Sequence, residues 1–177
     1  YARRCKFVSG ATGSGSDSTR ACTVGDTTGY YDCYFATSSS TGYGVTNGTA
    51  LFSVGNTSIY TGTSTRGGYG LVAKHNVNST YINLNTGISR AYATDNFLVN
   101  NCTFYNVGTA VRTVYAGYDR TRTITNCYFA NCGTGIESYR SDNSGFHIIN
   151  CGFYNNTNNV GSNIPTSMLV TPRYDTS

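Results

Sequence analysis

A chain of 177 residues is long enough for one domain with its own core and short for two. Only 11% of the residues are charged and the formal net charge is +4, with no basic run beyond Arg3-Arg4, so nothing marks a nucleic-acid surface. The 16 Tyr and 8 Phe exclude a disordered chain, the wealth of Gly, Ser, Thr and Asn disfavours helices, and no apolar run approaches the length of a membrane helix.

The first elements already repeat. Cys5-Lys6-Phe7 returns 28 positions later within Tyr31-Asp32-Cys33-Tyr34-Phe35. The chain begins part-way through such a unit and without Met, so it reads as a processed product or a segment of a longer polypeptide. From Thr37 to Asn96 the units are uneven. An apolar step recurs as Gly44-Val45, Gly70-Leu71 and Gly87-Ile88, spaced by 26 and then 17 positions, which predicts irregular rungs or an insertion over residues 37–96.

Residues 97–160 carry the clearest copies. Val99-Asn100-Asn101-Cys102-Thr103-Phe104, Ile124-Thr125-Asn126-Cys127-Tyr128-Phe129 and Ile148-Ile149-Asn150-Cys151-Gly152-Phe153 share the pattern apolar-x-Asn-Cys-x-Phe. Cys102 to Cys127 is 25 positions and Cys127 to Cys151 is 24. Alternation with period two points one face of each short strand inward, and Asn or Gly then turns the chain because both tolerate left-handed backbone angles. One such unit cannot bury its apolar face alone, whereas stacked units bury a continuous column. The pattern predicts an all-β, right-handed, single-stranded parallel β-helix: one solenoid domain over residues 1–177, of six to seven rungs of about 24 residues and about 34 Å long. A β-sandwich also has many short strands, but it needs no sequence unit of near-constant period.

These repeats resemble those of the pectate-lyase-like superfamily, which includes phage tailspikes and other virion β-helices. The resemblance covers about Phe97 to Val160, with weaker echoes before it, and it implies architecture rather than chemistry.

Cys102, Cys127 and Cys151 occupy one slot on successive rungs, and Phe104, Phe129 and Phe153 another. Both are expected to be core ladders, with Cys132 in the core position of Val107. A zinc site would need CxxC pairs or nearby His, and the closest approach is Cys127-x4-Cys132, so neither a metal nor another cofactor is expected. Seven cysteines leave at least one thiol unpaired, and an unpaired ladder suits assembly in a reducing cytosol. The sequons at Asn47, Asn56, Asn78, Asn101 and Asn155 are what so much Asn, Ser and Thr produces by chance.

Catalysis on this kind of fold needs paired carboxylates or an acidic calcium site, and the eight acids are scattered. Glu137 follows Ile136 as Arg112 follows Val111, so the two are expected to pair across rungs. The weak catalytic candidates are Asp119, Asp142 and Glu137. The bends holding Tyr115, Tyr118, Asp119 and Arg120, and Tyr139, Arg140 and Asp142, leave neighbouring rungs at similar points. Their aromatic, basic and acidic groups suit sugar recognition, and the two Asp would permit glycoside hydrolysis if about 5 to 10 Å apart. An ice-binding face would need a regular Thr-x-Thr array, and Thr121-Arg122-Thr123 does not repeat along the chain.

The composition favours a structural role over catalysis: a virion component such as a capsid decoration, spike or fibre segment, assembled in the host cytoplasm. Its partners would be other virion subunits in a homo-oligomer such as a trimer, with a surface glycan as a further ligand. The alternatives are a carbohydrate-binding or polysaccharide-degrading domain, and a secreted adhesin stalk.

Overall fold

A computed structural model describes residues 1–9, 22–23, 28–38, 46–47, 50–70, 73–90, 96–113, 121–139 and 146–175, with the backbone alone at 22, 23, 46, 47, 90 and 175. Every pairing among them is parallel, and the chain winds as a β-solenoid. The first sheet stacks eight strands: Ala2–Arg3, Gly29–Tyr31, Ala50–Val54, Ala73–Val77, Phe97–Asn100, Arg122–Thr125, Phe146–Ile149 and Leu169–Val170. The second stacks another eight: Lys6–Ser9, Tyr34–Thr37, Thr57–Tyr60, Thr80–Ile82, Thr103–Tyr105, Tyr128–Ala130, Gly152–Tyr154 and Arg173–Asp175. A third holds four, Thr86–Arg90, Thr109–Thr113, Thr134–Ser138 and Asn158–Val160, and Cys22–Thr23 pairs separately with Thr46–Asn47.

Two corners explain why Asn recurs. Between the first and second sheets, Arg4, Asp32, Gly55, Asn78, Asn101, Asn126, Asn150 and Thr171 all adopt φ between 50° and 67°. Asn83, Asn106, Asn131 and Asn155 turn likewise after the second sheet, with φ between 48° and 56°. This region costs most L-residues roughly 1–2 kcal/mol, and Asn and Gly least. The Asn amides also stack head to tail. Asn101 Nδ2 donates to Asn78 Oδ1 at 2.9 Å, Asn150 Nδ2 to Asn126 Oδ1 at 2.8 Å, and at the other corner Asn155 Nδ2 to Asn131 Oδ1 at 2.8 Å. Arg66 locks that second corner by donating from Nε to Asn106 Oδ1 at 3.0 Å and from its terminal nitrogen to the Asn131 carbonyl at 2.8 Å.

Asn126 joins both effects, since its own Nδ2 also donates to Asn100 Oδ1 at 3.1 Å. Asn126→Ala is expected to cost about 1–2 kcal/mol in urea unfolding, and Asn126→Gly less than half as much. Equal losses would mean that the backbone angle contributes nothing.

Three columns fill the interior. From the second sheet, Phe7 stacks on Phe35 at 4.9 Å, and Tyr81, Phe104, Phe129 and Phe153 stack at 4.8, 5.0 and 5.2 Å between ring centroids. From the first, Val99, Ile124 and Ile148 align in register. The corner slot contributes Cys33, Cys102, Cys127 and Cys151, all buried. Arg122 is buried too, in register between Phe97 and Phe146, with its guanidinium carbon 5.2 Å from the Phe146 ring.

Between residues 50 and 82 the same columns turn polar. Register places Ser53 and Asn76 between Tyr30 and Val99, and Ser58 between Phe35 and Tyr81. Asn56 and Ser79 stand in the slot of Cys33 and Cys102. All five are buried.

Candidate functional site

Of the residues singled out for sugar binding or catalysis, Tyr115, Tyr118, Asp119, Arg120, Arg140 and Asp142 lie outside the described residues. Tyr139 and Glu137 are described, at the end of a third-sheet strand. Arg112 and Glu137 are register partners, with Arg112 Nε 3.3 Å from Glu137 Oε2, as the spacing leads one to expect. The Arg112 guanidinium also lies 4.5 Å from the centroid of the exposed Tyr139 ring. Both ends of this cluster are thus engaged within the fold, and a partly exposed ion pair of this kind is worth about 1 kcal/mol.

The cysteines form a chemically defined row. Each corner turn leaves a carbonyl and an N–H aimed inward, and the slot side chain serves both. Cys102, Cys127 and Cys151 donate S–H to the carbonyls of Asn100, Thr125 and Ile149 at 3.4, 3.2 and 3.5 Å. Ser79 does the same to Val77 at 3.0 Å. In the other direction, the N–H of a slot residue donates to the slot side chain one rung later where that side chain carries oxygen: Cys33 to Asn56 Oδ1 at 2.7 Å and Asn56 to Ser79 Oγ at 3.3 Å. Asn156 repeats the arrangement at the other corner, accepting from the Cys132 N–H at 2.8 Å and donating to the Phe129 carbonyl at 3.0 Å. The slot therefore selects small side chains with a heteroatom, and the thiols do more than fill space as small apolar groups.

This distinction has a measurable consequence. Cys102→Val keeps the volume but removes the donor that faces the Asn100 and Asn76 carbonyls, and is expected to cost about 1 kcal/mol, whereas Cys102→Ser keeps a donor there and costs less. If valine proves the better replacement in chemical unfolding, the thiol contacts contribute nothing.

Electrostatics within the row follow from burial. The Cys127 thiol is pushed well above the usual range by desolvation, with Cys102 and Cys151 on either side adding to the effect. The interaction with Cys127 draws those two outer thiols down. Desolvation also raises Cys132, and the six cysteines whose side chains are described are all unpaired by disulfides. Among the described residues no three His, Cys, Asp or Glu side chains gather as a metal site.

Tyr81 is raised well above 10.0 by burial first and by the Cys102 thiol second. The folded chain therefore retains a proton that the unfolded chain releases. Stability is complete below the unfolded value near pH 10 and is lost as pH rises beyond it, by about 1.4 kcal/mol per pH unit. Tyr81→Phe loses the bond from the hydroxyl to Asn76 Oδ1 at 3.2 Å, so it should be less stable at pH 7 yet decline more shallowly above pH 10. Parallel alkaline unfolding curves would refute that assignment.

Sequence reasoning missed a groove on the outward face of the first sheet. It has a volume of about 690 Å³ and is lined by Tyr1, Arg3, Tyr31, Asp32, Phe52 and Val54, among others. Gly29 underlies it: a Cβ there would sit 2.9 Å from Tyr31 Cε2, so the missing side chain lets the Tyr31 ring lie down over the strand. Arg3 Nε stands 3.6 Å from Asp32 Oδ2, both exposed. A smaller groove of about 270 Å³ repeats the device, with Tyr128 lying over Gly152 beside Arg173. The available signal was a tyrosine two positions from a glycine, Gly29 and Tyr31, on the outward face of one strand.

The sequon at Asn56 is closed in the folded chain, because its amide is buried and donates to the Tyr30 carbonyl at 2.9 Å and to Ser53 Oγ at 3.0 Å. Among the described residues no helix is long and apolar enough to cross a membrane. No family model, curated protein or solved structure matches the chain.

Proposed function

We propose that this chain is a structural β-helical component of a virion, a decoration, spike or fibre segment of the pectate-lyase-like kind, whose work is mechanical. The observation that supports this most is that neighbouring rungs are joined several times over. Backbone pairing, stacked rings, slot side chains and corner amides all run along the same axis, so pulling one rung away breaks many contacts at once. Free thiols in the interior suit assembly in a reducing compartment before any exposure to oxidants. The outward faces and strand edges are left for neighbouring subunits.

An antibody raised against the purified chain tests this on particles sedimented from the culture that produces it. The expected result is a fixed copy number per particle and labelling of capsid or tail in electron micrographs. A chain found only free in solution overturns the proposal.

The groove favours a second reading, recognition of a glycan. Tyr31 and Phe52 offer aromatic faces for a sugar ring, and Arg3 and Asp32 offer a charged donor and acceptor for hydroxyls. Binding to surface polysaccharides that disappears in Phe52→Ala would support it, and binding unchanged by that substitution would remove the groove from consideration.

A further inference from the structure

The first-sheet column and the corner slot are polar on the same two successive rungs, the ring column is polar at Ser58 on the first of them, and the apolar core divides there. Tyr30, Cys33, Phe35, Ala50 and Ala73 form one cluster, while Tyr60 and Tyr81 begin the other, which continues through Phe104 and Phe129 to Phe153. Between them lie Ser53, Asn56, Ser58, Asn76 and Ser79, with the Tyr81 hydroxyl pointing back among them. Ser53 Oγ and Ser79 Oγ are 3.3 Å apart, Asn56 bridges to the Tyr30 carbonyl at 2.9 Å, and Asn76 Nδ2 donates to the Ala73 carbonyl at 2.7 Å.

We propose that these two polar rungs are a joint at which the solenoid opens, so that the rungs N-terminal to it unfold together while the stack beyond it stays closed. In a solenoid, cooperativity depends on the interface between adjacent rungs. Elsewhere that interface is ring on ring, each ring burying on the order of 150–250 Å² that water does not compensate when exposed. At the joint, Ser58 faces Phe35 on one side and Tyr81 on the other, and the polar groups regain hydrogen bonds from water on opening. Separation there is the least costly place to break the stack. The same network holds the register while closed, because its donors and acceptors match in only one order of rungs, whereas Phe on Phe and Cys on Cys would match after a slip of one rung.

Amide hydrogen exchange of the full chain in increasing sub-denaturing urea tests the joint. The N–H groups of Arg4, Asp32, Tyr34 and Ser38 bond to the carbonyls of Tyr31, Val54, Cys5 and Ser9, and those of Tyr128, Asn131 and Gly133 bond within the C-terminal stack. The expected result is one shared urea dependence for the first four, with exchange at least tenfold faster than for the last three. A graded series running inward from the N-terminal rung, as simple fraying gives, overturns the proposal. So does one common curve for all seven. Phe129→Leu supplies an independent readout: it should speed exchange of Tyr128 and Gly133 while leaving Tyr34 and Ser38 within twofold of their original rates. An equal acceleration of both groups overturns the joint.

Discussion

Phe129→Ala is expected to lower the free energy of unfolding of the C-terminal stack by about 3–5 kcal/mol. Phe129 is fully buried, with Phe104 on one side at 5.0 Å and Phe153 on the other at 5.2 Å, the rings tilted by only 6° and 13°. Removing the ring leaves a cavity that the neighbours cannot close, because each is fixed to its rung by backbone pairing on both sides. The adjacent Tyr128 points outward and is partly exposed, so Tyr128→Ala should cost about 1 kcal/mol or less. The pair of urea titrations separates interior stacking from surface contact. A Phe129→Ala loss no greater than that of Tyr128→Ala would show that the column does not hold the rungs together.

Asn56→Ala is expected to cost about 2–4 kcal/mol although it deletes no apolar surface. The amide bridges two rungs: its oxygen accepts from the Cys33 N–H at 2.7 Å, and its nitrogen donates to the Tyr30 carbonyl at 2.9 Å and to Ser53 Oγ at 3.0 Å. Alanine leaves the Cys33 N–H and the Tyr30 carbonyl buried without those partners, and each orphaned group carries a penalty of roughly 1–3 kcal/mol. Asn56→Asp is the sharper probe. It keeps the acceptor for the Cys33 N–H but turns a carboxylate towards the Tyr30 carbonyl, so it should be more damaging at pH 7 than at pH 4. A chain in which Asn56→Ala unfolds at the same urea concentration as the parent would show that water replaces the amide at no cost.

How much could be seen beforehand varies along the chain. Over residues 97–160 the slots of Phe104, Phe129 and Phe153, and of Cys102, Cys127 and Cys151, were visible as a period, because each rung repeats the residue type of the one before. Between Cys33 and Cys102 the period persists, Cys33 to Asn56 and Asn56 to Ser79 each being 23 positions, but the residue type changes and so the spacing went unnoticed. The Arg112–Glu137 pair was legible from the offset of Val111 and Ile136. The groove of Tyr31 and Phe52 was not, since its walls come from separate rungs and its floor is a glycine whose importance lies in what it lacks.

What the amino-acid sequence determined by itself was the periodic part: inward and outward alternation, the left-handed corners at Asn and the stacking of like on like. Those follow from local backbone preference and from hydrophobic pattern, both readable within a few residues. Only the tertiary structure decided which polar residues become interior, because Ser58 or Asn56 is buried by the rungs above and below it rather than by its own neighbours in the chain. It also decided that the thiols act as hydrogen-bonding caps. The carbonyls that they face turn inward only when the corner closes, and one of the two belongs to the rung before, 26 to 28 residues away.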